Sequence, residues 1–217
     1  MAKCKNVDIK AAIKIVTEAA RDYEERLNNR HFMVVYQEGA EFKTVQFGFR
    51  DMNFLHLTGI ETSLTAKQFY RACLEHKLAE RDIIHFSKGK TQQKLAVLPH
   101  LSDVLYNNCM IGYSINNGIY LQADYFVGNT KAVLSVGFRF GKTVDYPVTL
   151  YNGDVRKMIS PICKVLAIFS KAYNDEKYTG CTYLSKGQQI NKLKLDEASR
   201  KLLKVCGDER CTFIQGR

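Results

Sequence analysis

The stretch NFLHLTGI, residues 53–60, places one imidazole, His56, between two leucines and two residues ahead of Thr58-Gly59. Imidazole gives and takes a proton near neutral pH at small cost, so it suits general acid–base work. The motif reads as the end of a strand ahead of a helix, where a rigid scaffold presents reactive groups. Thr58 and Gly59 then make a sharp turn with a free hydroxyl beside the ring. The alternative reading is a structural histidine, hydrogen-bonded within the core. His31, His76, His85 and His100 have no comparable surroundings.

Cleaving RNA without a metal ion requires a base for the 2′-hydroxyl, a cation for the charge on phosphorus and an acid for the leaving oxygen. Candidate cations sit in two runs that lack acidic residues. HFSKGKTQQK carries Lys88, Lys90 and Lys94, and the span from Tyr125 to Val144 carries Lys131, Arg139 and Lys142. Lys94 points toward a sheet if LAVL packs inward; Arg139 and Lys142 fall at a strand end and on its turn. Each also reads as a solvated surface charge. Tyr113 and Tyr120 are candidates for stacking on bases, or for half-buried packing.

Other chemistries lack their signatures. SKGKT does not have the spacing of a phosphate loop, and there is no GxSxG, no HExxH and no close carboxylate cluster for two metals. Seven cysteines (Cys4, Cys73, Cys109, Cys163, Cys181, Cys206 and Cys211) are scattered without a CxxC pair. Cys206 and Cys211 are close, but no second pair accompanies them to complete a zinc site. The expectation is therefore no metal, no cofactor, and reduced thiols in a cytoplasm.

The 217 residues carry 32 Lys+Arg against 22 Asp+Glu, a net charge of +10, which favours polyanionic partners and nucleic acid first. Hydrophobic residues make up 46%, enough for a sizeable core. No run approaches the ~18 apolar residues that span a bilayer, and MAKCKNVDIKAA has no apolar signal core.

The elements that would position these groups follow from periodicity. Val7, Ala11, Ile15, Ala19, Tyr23 and Leu27 recur at helical spacing over residues 6–28. HFMVVYQ and FKTVQFGF read as two strands around the Gly39 turn. Ser63 or Thr65 caps a helix through AKQFYRACLEHKL, and Thr91 caps another from Gln92 to about Tyr106. From Cys109 to Tyr151 apolar and polar residues alternate between small turns at Asn117-Gly118, Gly128-Asn129 and Gly141-Lys142, which predicts a four-stranded antiparallel meander. Pro147 puts the fourth strand at an edge. Residues 154–172 are apolar and read as a helix broken at Pro161, YTGCTYLSK is extended, and LDEASRKLLKVCG is a basic terminal helix. The expectation is α+β, with N-terminal helices packed on a mainly antiparallel four-stranded meander and a helical C-terminal extension. It divides into residues 1–153 and 154–217, unless the whole is one domain.

NFLHLTGI, AKQFYRACLEHKL, TQQKLAVLPHLSDVLY and YPVTLY together resemble the phage-associated barnase–EndoU–colicin–RelE-like nucleases, the fourth phage group in particular, over about residues 30 to 155. The resemblance implies helices on a four-stranded antiparallel sheet and metal-independent endoribonuclease activity of the kind used by toxins of mobile elements. It implies His56, Thr58, Lys94 and Thr149 as the catalytic positions. Thr149 enters as the Thr that follows Tyr-Pro, and Lys88, Lys90, Arg139 and Lys142 remain to bind nucleic acid. RNA is the expected partner. The runner-up is a non-catalytic phage protein that binds RNA or a host nucleoprotein complex, for example to inhibit a defence system. A DNA-binding regulator that uses the basic ASRKLLKVCGDERC segment is a third reading.

Overall fold

The computed structural model of the chain describes residues 8–86, 89–115, 122–129, 133–204 and 212–213. Helix α1 spans Ile9–Arg26, and the Ala11 N–H donates to the Asp8 carboxylate at 2.7 Å to cap it. Its inner face is Ala12, Val16, Ala19, Ala20 and Tyr23, continued by Leu27, while Ala11 is exposed. A strict four-residue stripe drifts around a helix of about 3.6 residues per turn, so the inward set moves by one residue. Strands β1 (Arg30–Glu38) and β2 (Glu41–Phe49) then form a hairpin through Gly39 at φ +61°.

A helical layer follows. It comprises α2 (Asp51–Thr58), a short strand β3 (Glu61–Thr62), α3 (Ala66–Leu74), its partner β4 (Ile83–His85), α4 (Lys90–Val97) and α5 (Asp103–Tyr106). Of the two candidate caps for α3, Thr65 is the one used, in a reciprocal pair with Gln68. The single helix expected from Gln92 to Tyr106 is instead two, separated by a tight turn at Leu98–His100 that contains Pro99. Thr91 lies inside α4 and is buried, not its cap.

Strands β5 (Met110–Tyr113), β6 (Tyr125–Asn129), β7 (Leu134–Arg139) and β8 (Tyr146–Asn152) pair in sequence order, all antiparallel. They are one part of a larger curled sheet, so the expectation of a four-stranded sheet is corrected. Gly128 and Asn129 belong to the β6 ladder, opposite Ser135 and Leu134, instead of marking a turn. Pro147 sits on outermost β8 where the register shifts. The Asn117-Gly118 turn lies outside the described residues.

The main correction concerns residues 154–172. They form a short 3₁₀ turn at Val155–Lys157 and then strand β9, Cys163–Ala172, not a helix. β9 pairs along one edge with β1, and along the other with β5 and then β10 (Gly180–Leu184). The chain ends in a short helix α6 (Glu197–Leu202) and strand β11 (Thr212–Phe213), which pairs parallel with β10. Val165 through Phe169 are all buried because the sheet is covered on both faces. Helices α1 to α4 cover one face, and Tyr178, Leu193 and Leu203 of the C-terminal segment pack on the other. A strand covered on both faces loses its alternation and reads like a buried helix. The curl brings β8 back toward β2, where Phe47 bridges Asp145. Around that seam Phe47, Phe49, Phe138 and Tyr125 pack ring against ring.

Candidate functional site

The histidine motif is a helix, not a strand end. Asn53 accepts from the Arg50 N–H at 2.9 Å to start α2, and the Tyr23 hydroxyl donates to the Arg50 carbonyl at 2.8 Å to tie that start to α1. Phe54 and Leu57 turn inward, while Met52, Asn53 and His56, three and four residues apart, share the outer side. The far end is capped several times over. Thr58 Oγ donates to the Leu55 carbonyl at 2.8 Å and accepts from the Ile60 N–H at 3.1 Å. Gly59 takes the left-handed conformation at φ +69° that ends helices. From α4, Thr91 Oγ donates to the Gly59 carbonyl at 2.7 Å and Lys94 Nζ to the His56 carbonyl at 2.8 Å.

His56 is exposed and opens onto a cleft of about 840 Å³ between α2, the end of β2, and the facing ends of β7 and β8. Two arginines line it. Arg139 donates through Nε and an Nη to Gln122 at 2.9 and 3.1 Å, and the Arg50 guanidinium lies 3.9 Å over the Tyr173 ring. The His31 ring meets the same tyrosine edge-on at 4.5 Å, so Tyr173 links it to Arg50. Burial, then the charges of Lys171 and Arg50, hold His31 below its ordinary pKa, so it adds bulk rather than charge. Opposite His31 stands Gly48, where a Cβ would come within 2.7 Å of the imidazole. Tyr146, Val148 and Thr149 of β8 form the facing wall. No Asp or Glu is among the described residues that line the cleft. Nor do any three His, Cys, Asp or Glu side chains among the described residues cluster to hold a metal.

The structure thus brings His56, Arg139 and Thr149 together and places the other candidates elsewhere. Thr58 is fully buried, and its hydroxyl is engaged in the helix cap. Lys94 lies behind α2, its ammonium on the backbone of His56 instead of directed at the sheet. Lys90 and Lys142 are exposed outside the cleft lining, and Lys88 lies outside the described residues. Arg50, Tyr173 and Gln122 escaped sequence reasoning. Arg50 alone left a trace, as the cation that ends the alternating strand before the motif.

Two expectations follow from these caps. Thr58→Val keeps the shape but strands the Ile60 N–H, so it should cost about 1–3 kcal/mol in urea unfolding. Burial, aided by the Lys90 charge, lowers the Lys94 pKa to about 8. Between there and the ordinary lysine value the unfolded chain binds this proton and the folded chain does not, so stability rises with pH across that window. Relative to Lys94→Met, the wild type should gain on the order of 1 kcal/mol between about pH 7.5 and 9.5 in urea midpoints, after allowance for solvent screening.

A family model described as phage-Barnase-EndoU-ColicinE5/D-RelE like nuclease4 matches residues 15–187. That span runs from within α1 through β10 and extends beyond the motifs that carry the resemblance. No curated protein and no solved structure matches the chain.

Proposed function

Since the chain belongs to the phage-Barnase-EndoU-ColicinE5/D-RelE like nuclease4 family, we propose that its cleft cleaves RNA by 2′-hydroxyl transesterification, with His56 as general base. A single observation carries this reading: one exposed imidazole and two arginines line a cleft whose described lining has no carboxylate. Such a lining attracts a phosphodiester and leaves proton transfer to histidine. His56 takes the proton of the 2′-hydroxyl, and the freed oxygen bonds to phosphorus. Arg139 and Arg50 hold the charge that builds on the non-bridging oxygens. The bond to the 5′-oxygen then breaks, and that oxygen takes a proton from the imidazolium or from water in the open cleft. The products are a 2′,3′-cyclic phosphate and a 5′-hydroxyl. Thr149, at the edge of the cleft, orients the phosphate; Thr58 and Lys94 act by fixing the helix that carries His56. No helix among the described residues is long and apolar enough to cross a membrane. The proposed setting is the cytoplasm of a host cell, as a toxin-like product of a phage or mobile element.

One observation favours the non-catalytic runner-up. With Thr58 and Lys94 engaged by backbone, His56 is the lone member of the expected catalytic set with an acid–base side chain in the cleft. The same cationic surface would then bind RNA or a host nucleoprotein without cutting it. Incubation of the purified chain with single-stranded RNA in EDTA separates the two. Cleavage with cyclic phosphate ends is the expected result, and bound but intact RNA selects the runner-up.

A further inference from the structure

Arg50 and Arg139 both line the cleft, but their guanidinium groups are held in opposite ways. Arg139 has one edge committed, because Nε and an Nη donate to the carbonyl and the side-chain oxygen of Gln122. Arg50 is exposed, and its guanidinium makes no hydrogen bond or ion pair among the described residues. It lies instead over the Tyr173 ring, 3.9 Å from the centroid. Both halves of this stack are anchored. The Arg50 backbone is tied to α1 through the Tyr23 hydroxyl and to α2 through Asn53. The Tyr173 N–H donates to the Asn29 carbonyl at 2.8 Å, and the His31 ring braces the Tyr173 ring at 4.5 Å. Gly48 leaves room for that imidazole.

We propose that Tyr173 is a positioning residue that presets Arg50 as a two-pronged clamp on one phosphodiester, while Arg139 adds charge alone; this rests on the RNA reading above. A free arginine on a surface loses many rotamers when it grips an anion. A guanidinium already held on a ring loses fewer, and the difference appears as affinity. Stacking also occupies the face of the guanidinium and leaves the N–H groups, which lie in its plane, open for a bidentate bond to phosphate. A carboxylate would compete for those N–H groups, and the described lining of the cleft has none. The ring face under Arg50 is covered, so it is not a platform for a base. Tyr173 therefore acts through Arg50.

A double-mutant cycle on the full chain tests this without cleavage. The probe is a 2′-O-methyl RNA hexamer, which lacks the nucleophilic hydroxyl, titrated by calorimetry. Arg50→Gln should weaken binding roughly tenfold, as loss of a charge-assisted contact does. Tyr173→Leu should weaken it about two- to fivefold, the weight of an exposed cation–π pair. Tyr173→Phe, which keeps the ring face, should restore what Tyr173→Leu loses. The double variant Arg50→Gln/Tyr173→Leu should bind no more weakly than Arg50→Gln, since a residue that acts through Arg50 has nothing left to act on. Losses that multiply, or a Tyr173→Leu chain that binds like the wild type, overturn the assignment, as does a wild type that fails to hold the hexamer. One measurement needs no variant at position 173. The Arg50 Nε–H proton, assigned by its disappearance in Arg50→Gln, should resonate upfield under the ring current of Tyr173; a random-coil position overturns the stack. Failure to cut RNA would sink the nuclease reading and leave this cycle intact, whereas multiplying losses in a chain that cuts RNA would sink the clamp alone.

Discussion

His56→Ala is expected to lower the rate of RNA cleavage by roughly 10²–10⁴-fold, the usual contribution of a positioned acid or base. The fold should survive. The ring is exposed on the outer side of α2, outside the buried core, and what anchors that helix is backbone capping and the inward Phe54 and Leu57. Urea unfolding should therefore change by no more than about 0.5 kcal/mol. RNA affinity should change little, because the arginines proposed to hold phosphate remain, so the loss falls on kcat rather than KM. Added imidazole should restore part of the rate. Cleavage that persists at the wild-type rate in a folded His56→Ala protein would remove the histidine from the chemistry.

Phe138→Ala is the substitution expected to cost most in stability. The ring is fully buried on β7, 4.1 Å from Phe47, 5.3 Å from Tyr125 and 5.9 Å from Phe49, centroid to centroid. It thus closes the curled sheet by packing the meander against the first hairpin. Removing such a ring leaves a cavity and typically costs about 3–5 kcal/mol, a large share of the roughly 5–15 kcal/mol that holds a domain together. Scanning calorimetry should register a fall in Tm of roughly 10 °C. Activity should fall with it, because Arg139 is the next residue and the cleft is bounded by this seam. A loss below 1 kcal/mol, on the order of a surface change, would mean that the seam does not bear on the fold.

Much of the local structure was legible because its causes are local. Asp8, Thr65 and Gly39 act on neighbouring backbone, and the α1 periodicity is a property of nearby side chains. Strand β9 was not legible. The run from Val165 to Phe169 is apolar on both sides because two layers cover it, and such coverage is a property of the assembled sheet. The C-terminal helix was read too long for a related reason. Among the described residues of that segment only Glu197–Leu202 is helical, and Leu203 then bridges Tyr178 instead of continuing the turn.

By itself the sequence determined the family signature, the cationic balance that suits a polyanion, and the candidacy of His56. These depend on residue identity and short spacing. Only the tertiary structure decided what each candidate does, because a side chain's role depends on which partner reaches it first. Thr58 and Lys94 find carbonyls at the end of α2 that the helix itself leaves without donors, and they supply those donors. Arg50 and Tyr173, far apart along the chain, meet because β1 pairs with both β2 and β9, which sets the ends of those two strands level with each other on either side of Arg30. Sheet pairing of this range leaves no mark in local spacing, so the cleft around His56 exists only once the sheet has curled.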